Sequence, residues 1–246
     1  ADSAAAEKAI TCKKLAVFGS KDAVPALAPL LNDEQLISWA RIALEAIPGP
    51  EADKALRESI QLFRQIGAAD GEALTCQRLG ILQTARGQLE EALSTLEDGV
   101  VAAKHAKLRA HIQGRLYAAI ARNRLLAGDL AAADHSLSLG QTLTESHGHC
   151  PLCESLLLPV AVSVRIAQGD LVGAEEYCHQ LDEATSRYGS HSWVALAAQA
   201  RAELAAAYGN TEEAIAHYKR AQAGFLEANN EYAAAQCEEA LASLQD

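Results

Sequence analysis

The segment His147-Gly148-His149-Cys150-Pro151-Leu152-Cys153 gathers two imidazoles and two thiols within seven residues. Nitrogen and thiolate ligands at this spacing suit a zinc ion. Pro151 fits the first helical position behind a Cys150 cap. Cys153 then falls in the first turn, where the helix dipole favours a thiolate. With Gly169 as the next turn, Cys153 lies 16 residues before it and Tyr188 to His191 lie 19 to 22 after it. Antiparallel helices bring those ends together, so His191 joins the candidate metal set of His147, His149, Cys150 and Cys153. Cys178 is only 9 residues past the turn. At ~1.5 Å rise per residue it falls roughly 10 Å along the axis from Cys153, outside the set. Two other readings stay open: a redox-active thiol pair, and unligated thiols acting as small apolar fillers. The pattern is not one of the paired CxxC frameworks, so the default expectation is no cofactor, with zinc as the alternative.

A second chemical feature is a block of positive charge. Between Asp98 and Asp129 the chain carries Lys104, Lys107, Arg109, Arg115, Arg122 and Arg124, with His105 and His111 and no carboxylate. Arg115 and Arg122 are seven apart and share one helical face, with Gln77 and Gln199 at related positions in neighbouring repeats. Together these four are expected to line a concave groove with donors suited to a carboxylate, a phosphate or an acidic peptide. The competing expectation is that the bases pair with Glu90, Glu91, Glu97 and Asp134 on adjacent helices.

These residues must be positioned by helices, and the helices repeat. A Gly, a polar residue and an Ala five positions after the Gly recur as Gly87 to Ala92, Gly128 to Ala133, Gly169 to Ala174 and Gly209 to Ala214. The spacings are 41, 41 and 40 residues. Stretches with helical apolar spacing flank each Gly, such as Leu79, Leu82 and Ala85 or Leu116, Ile120 and Ala127. A Gly in a left-handed cap followed by an Asp or Asn that starts the next helix makes a tight helical hairpin. The Ala then permits close approach of the two helices. The expected fold class is all-α, an α-solenoid of such hairpins.

The Leu79-Gly80, Gly87 and Ala92 pattern resembles the tetratricopeptide repeat. The longer period and mostly aliphatic positions make it similar to the repeat region of MalT- and LuxR-type bacterial regulators, where Leu62 to Gly67 also has a familiar helix-ending pattern. The first stretch differs: Lys21 to Leu27, Leu30 to Asp33 and Trp39 to Leu44 resemble a HEAT repeat, among Pro25, Pro29, Pro48 and Pro50. The domain reading is therefore a HEAT-like segment over 1–55 and tetratricopeptide-like repeats over 56–246. A polar capping helix is expected over 231–244. The Cys150-Pro151-Leu152-Cys153 string resembles the active-site CPxC of glutaredoxins, although the βαβ context of that family is missing.

Composition bounds the function. Half of the 246 residues are apolar, which excludes a disordered chain. A net charge of -11 argues against a general nucleic-acid binder or a partner for anionic membrane. No apolar run approaches the ~20 residues of a membrane span, and the amino end lacks the layout of a signal peptide. Six irregularly spaced cysteines suggest a reducing cytoplasm rather than a disulfide scaffold. There is no HExxH, G-x-S-x-G, phosphate loop or G-x-G-x-x-G.

The expectation is a non-catalytic binding or scaffold module for a protein, a peptide or a small anionic effector. The family resemblance implies a place in a signalling or transcription regulator. A metal or thiol-redox protein centred on the 147–153 segment is the alternative. An engineered repeat scaffold is a further one, suggested by the absence of Met and the mixture of repeat types.

Overall fold

The computed structural model describes residues 2–18, 21–47, 50–148, 150–187 and 190–244. Among them are thirteen α-helices, two short 3-10 segments and no strand. The chain is an all-α repeat protein of the α-solenoid class. It divides into two compact units, Ala1–Asn123 and Arg124–Asp246.

The first unit opens with α1 (Asp2–Phe18). Within the HEAT-like stretch, residues 21–32 form a 3-10 turn (Lys21–Ala23), the four-residue α2 (Val24–Leu27) and a second 3-10 segment (Ala28–Asn32). Pro25 and Pro29 each remove a backbone donor and fix φ there. Then follow α3 (Ile37–Ala46), α4 (Pro50–Gln65), α5 (Ala69–Ala85), α6 (Leu89–Ala103) and α7 (Arg109–Leu126), whose last residues fall past the unit's end at Asn123. Cys12, Leu27, Leu31, Leu44, Leu56 and Phe63 join one core through the first four helices. Ala73, Leu96, Ile112 and Leu116 join a second through α5, α6 and α7. The start of α7 is capped from a distance. The Asp70 carboxylate accepts the backbone N–H groups of Lys107 at 3.0 Å and Leu108 at 3.2 Å, supplying acceptors that the local sequence lacks.

The second unit comprises α8 (Leu130–Ser146), α9 (Pro151–Ala167), α10 (Leu171–Ser186), α11 (His191–Ala207), α12 (Thr211–Glu227) and α13 (Glu231–Ser243). Its hairpins show how two residues end one helix and begin the next. Gly169 adopts φ 78, the left-handed region open to glycine at little cost. The Asp170 N–H then reaches back to the Arg165 carbonyl at 2.9 Å, closing the helix end. The Asp170 side chain accepts the Gly173 N–H at 2.9 Å and opens α10. The same backbone closure recurs from Gln88 to Gln83, Asp129 to Arg124 and Asn210 to Ala205. Ala92, Ala133, Ala174 and Ala214 are all fully buried, as close helix approach requires. The last turn uses Asn229 at φ 56 in place of glycine. The last helix, α13, buries Ala233, Ala234, Cys237 and Leu241 and leaves Tyr232 exposed.

Candidate binding faces and the thiol edge

Arg115 and Arg122 lie on α7 and are both half-buried. Gln77 does not sit open beside them. It is 1% exposed, and its Nε2 donates to the Arg115 backbone carbonyl at 3.4 Å, so it ties α5 to α7. Arg122 makes no hydrogen bond or ion pair among the described residues. Two acids expected to neutralise the basic block are engaged elsewhere: Glu91 with Arg57 at 2.6 Å and Asp134 with Arg165 at 3.1 Å. Of the block itself, Arg124 faces Asp129 at 3.7 Å, while Lys104, His105, Lys107 and Arg109 are exposed.

Gln199 belongs to the second unit, half-buried on α11, with Nε2 donating to Glu203 Oε1 at 3.3 Å. The other carboxylate oxygen of Glu203 accepts the Ser163 hydroxyl of α9 at 2.7 Å. Ser163 and Glu203 were not among the residues singled out from the sequence, yet the repeat contains their signal. Ile81, Arg122, Ser163 and Glu203 each stand six positions before a turn glycine. Each therefore holds the same register position within its own hairpin, Ile81 and Arg122 in the first unit and Ser163 and Glu203 in the second.

The thiol edge forms as the sequence predicts in part. Cys150 caps α9 in an extended conformation, Pro151 is the first helical residue, and the Cys150 carbonyl accepts from Cys153 and Glu154 at 2.9 Å. Cys153 is 2% exposed, His147 is half-buried, and a His147 ring nitrogen and Cys153 Sγ lie within 4.8 Å of one another. Such a pair could supply two of the four ligands that a tetrahedral zinc ion takes. His149 lies outside the described residues. Cys150 is half-exposed, and neither cysteine of the string forms a disulfide. His191, the first residue of α11, is exposed and places Nδ1 2.8 Å from Glu227 Oε2 at the end of α12. The register about Gly209 explains this partner, since 191 and 227 are each eighteen residues from that turn. Counting about Gly169, which pointed His191 toward the cysteines, follows the neighbouring hairpin instead.

The remaining thiols are core fillers. Burial pushes Cys76 and Cys178 up to about 12 and Cys237 to about 11, and it also raises Cys12. At pH 8, alkylation of the native protein is expected at Cys150 well before Cys12, Cys76, Cys178 and Cys237, read by peptide mass spectrometry. Uniform labelling would refute the burial pattern. The sign of the pH effect follows from the same thiols. Above pH ~9 the unfolded chain loses protons that the folded chain keeps, so stability falls as pH rises toward about 12. A melting temperature that stays level from pH 9 to the alkaline limit would contradict this.

The model of the MalT-like TPR region matches residues 48–245. Among solved structures, the crystal structure of BtubC (BKLC) from P. vanneervenii is similar at 13% identity, with a TM-score of 0.55, covering 78% of this chain and 89% of that one. At that identity the likeness concerns the fold. No curated protein matches by sequence. No helix among the described residues is long and apolar enough to cross a membrane.

Proposed function

Since the chain belongs to the MalT-like TPR region family, whose repeats generally serve as binding and scaffold modules, we propose that it is a non-catalytic recognition module for an anionic peptide, protein segment or small effector. The face of α7 that carries Arg115 and Arg122 is the recognition surface in this reading. One observation carries it: Arg122 is half-buried, yet no carboxylate among the described residues neutralises it. A cation held partly out of water and unmatched gains more from an incoming carboxylate than a fully solvated one does. Gln77 acts beneath this surface, fixing the α7 backbone against α5. Membership of a signalling or transcription regulator is part of the same proposal and rests on the family.

The test uses a fluorescent library of short peptides rich in Asp and Glu, with a lysine-rich library as control. Wild-type protein is expected to retain the acidic library, and Arg122→Glu to weaken retention about tenfold or more at unchanged melting temperature. Combining it with Arg115→Glu deepens the loss. Equal retention by wild type and the double variant, or equal retention of both libraries, would overturn the reading.

A further inference from the structure

The corner between α8 and α9 in the second unit holds a pair of thiols that the binding face does not use. Cys150 and Cys153 are the only two of the six cysteines that fall within one helical turn of each other. Their surroundings differ. Cys150, at the cap of α9, is half-exposed, whereas Cys153 in the first turn is 2% exposed. Cys12, Cys76, Cys178 and Cys237 are buried, and none has a second cysteine nearby in the chain.

The backbone holds this pair at bridging distance. The Cys153 N–H donates to the Cys150 carbonyl at 2.9 Å, closing a four-residue turn. A turn of that kind keeps its end Cα atoms within about 7 Å, and a disulfide joins Cα atoms about 4.4–6.8 Å apart. Cap geometry supplies the direction. Cys150 has φ -86 and ψ 113, the extended conformation from which a cap side chain turns back over the first helical turn. Asp129 and Asp170 show that reach in the same unit, each carboxylate accepting the N–H three residues on, at 3.1 Å and 2.9 Å. Three residues on from Cys150 stands Cys153. The Cys150 side chain makes no cap hydrogen bond, so its sulfur is not committed to the backbone.

One sulfur open to a reagent with a second shielded beside it is the arrangement that completes thiol–disulfide exchange. We propose that Cys150 and Cys153 form an exchange site for a low-molecular-weight disulfide, cycling between dithiol and disulfide. In the first step the Cys150 thiolate attacks one sulfur of the small disulfide. That S–S bond breaks, a mixed disulfide forms on Cys150, and one small thiolate leaves. In the second step the Cys153 sulfur attacks the Cys150 sulfur, the mixed bond breaks, and the second small thiolate leaves. The two cysteine protons end on the two released thiols, and two electrons pass from the protein to the small disulfide. Excess small thiol reverses both steps. A zinc ion on Cys153 and His147, whose ligand atoms lie within 4.8 Å of one another, would instead withhold Cys153 from the second step.

The experiment incubates the reduced full chain anaerobically at neutral pH with excess glutathione disulfide. Remaining thiols are then alkylated and read by peptide mass spectrometry, and zinc is measured on the same sample. The expected product is a disulfide between Cys150 and Cys153, with Cys12, Cys76, Cys178 and Cys237 still reduced and the dithiol restored by dithiothreitol. Cys153→Ala should stop at the mixed disulfide on Cys150 and accumulate it at least about tenfold over wild type, because the second step is intramolecular. Cys150→Ala should abolish both products. Melting temperatures check that each variant keeps its fold, and the wild-type products decide the matter even where a variant does not. No oxidation, a mixed disulfide that persists on wild-type Cys150, equal oxidation of the four buried thiols, or stoichiometric zinc with the pair unoxidised would overturn the inference.

Discussion

Replacing Phe225 by alanine is expected to lower stability by about 3–5 kcal/mol, the usual range for deleting a buried phenyl ring. Phe225 is 1% exposed on α12, and the groups around it are mostly short: Ala195, Ala198 and Ala202 on α11, Ala221 on its own helix, and Ala233 and Ala234 on α13. Alanine has no rotamer with which to fill a vacated volume, so the cavity persists and the cost falls toward the upper end. The Phe225 carbonyl also accepts the Asn230 N–H at 2.8 Å, so the ring sits at the turn that joins α12 to α13. Urea denaturation followed by circular dichroism measures the loss. Phe225→Leu should recover much of it, since most of the volume returns. A loss below about 1 kcal/mol for the alanine variant would mean that the surrounding helices collapse freely, contrary to the packing described.

Gly99→Ala is expected to destabilise by about 1–3 kcal/mol, although helix propensity alone favours alanine over glycine by about 1 kcal/mol. Gly99 lies within α6, where α5 and α7 also approach. A Cβ there would stand 2.8 Å from Leu116 Cδ2, 2.9 Å from Cys76 Cβ and 3.3 Å from the Ala73 carbonyl oxygen. Leu116 can turn aside, but Cys76 Cβ and the Ala73 carbonyl move only with their helix. The sign of the change therefore discriminates between an α6 surface set by propensity and one set by inter-helix distance. A gain in melting temperature would contradict the close approach. Gly99→Ala combined with Leu116→Ala should recover only part of the clash, because the α5 atoms remain.

The repeat was legible because its signal is local. A left-handed glycine, a capping Asp or Asn and a small residue five positions after the glycine act within one turn of chain, and each states its geometry in its own residue type. The turns at Gly87, Gly128, Gly169 and Gly209 follow from the glycine and the small residue, with a side-chain cap added at two of them by Asp129 and Asp170. The Asn229 turn is less visible because asparagine reaches the same left-handed region with a side chain that occurs in many other settings. In residues 21–32, Pro25 and Pro29 accompany short helical segments rather than one long helix.

The candidate sites divide along the same line. The sequence by itself determined that Cys150 caps a helix, that Pro151 begins it and that Arg115 and Arg122 share a face, because helical geometry over one or two turns decides such relations. Tertiary structure alone decided that Gln77 is buried under Arg115, that Glu203 gathers Gln199 and Ser163, and that His191 turns to Glu227. Each of these depends on which neighbouring helix a side chain meets and at what register. Spacing in one dimension names the face of a helix, but only packing in three dimensions names the partner across from it.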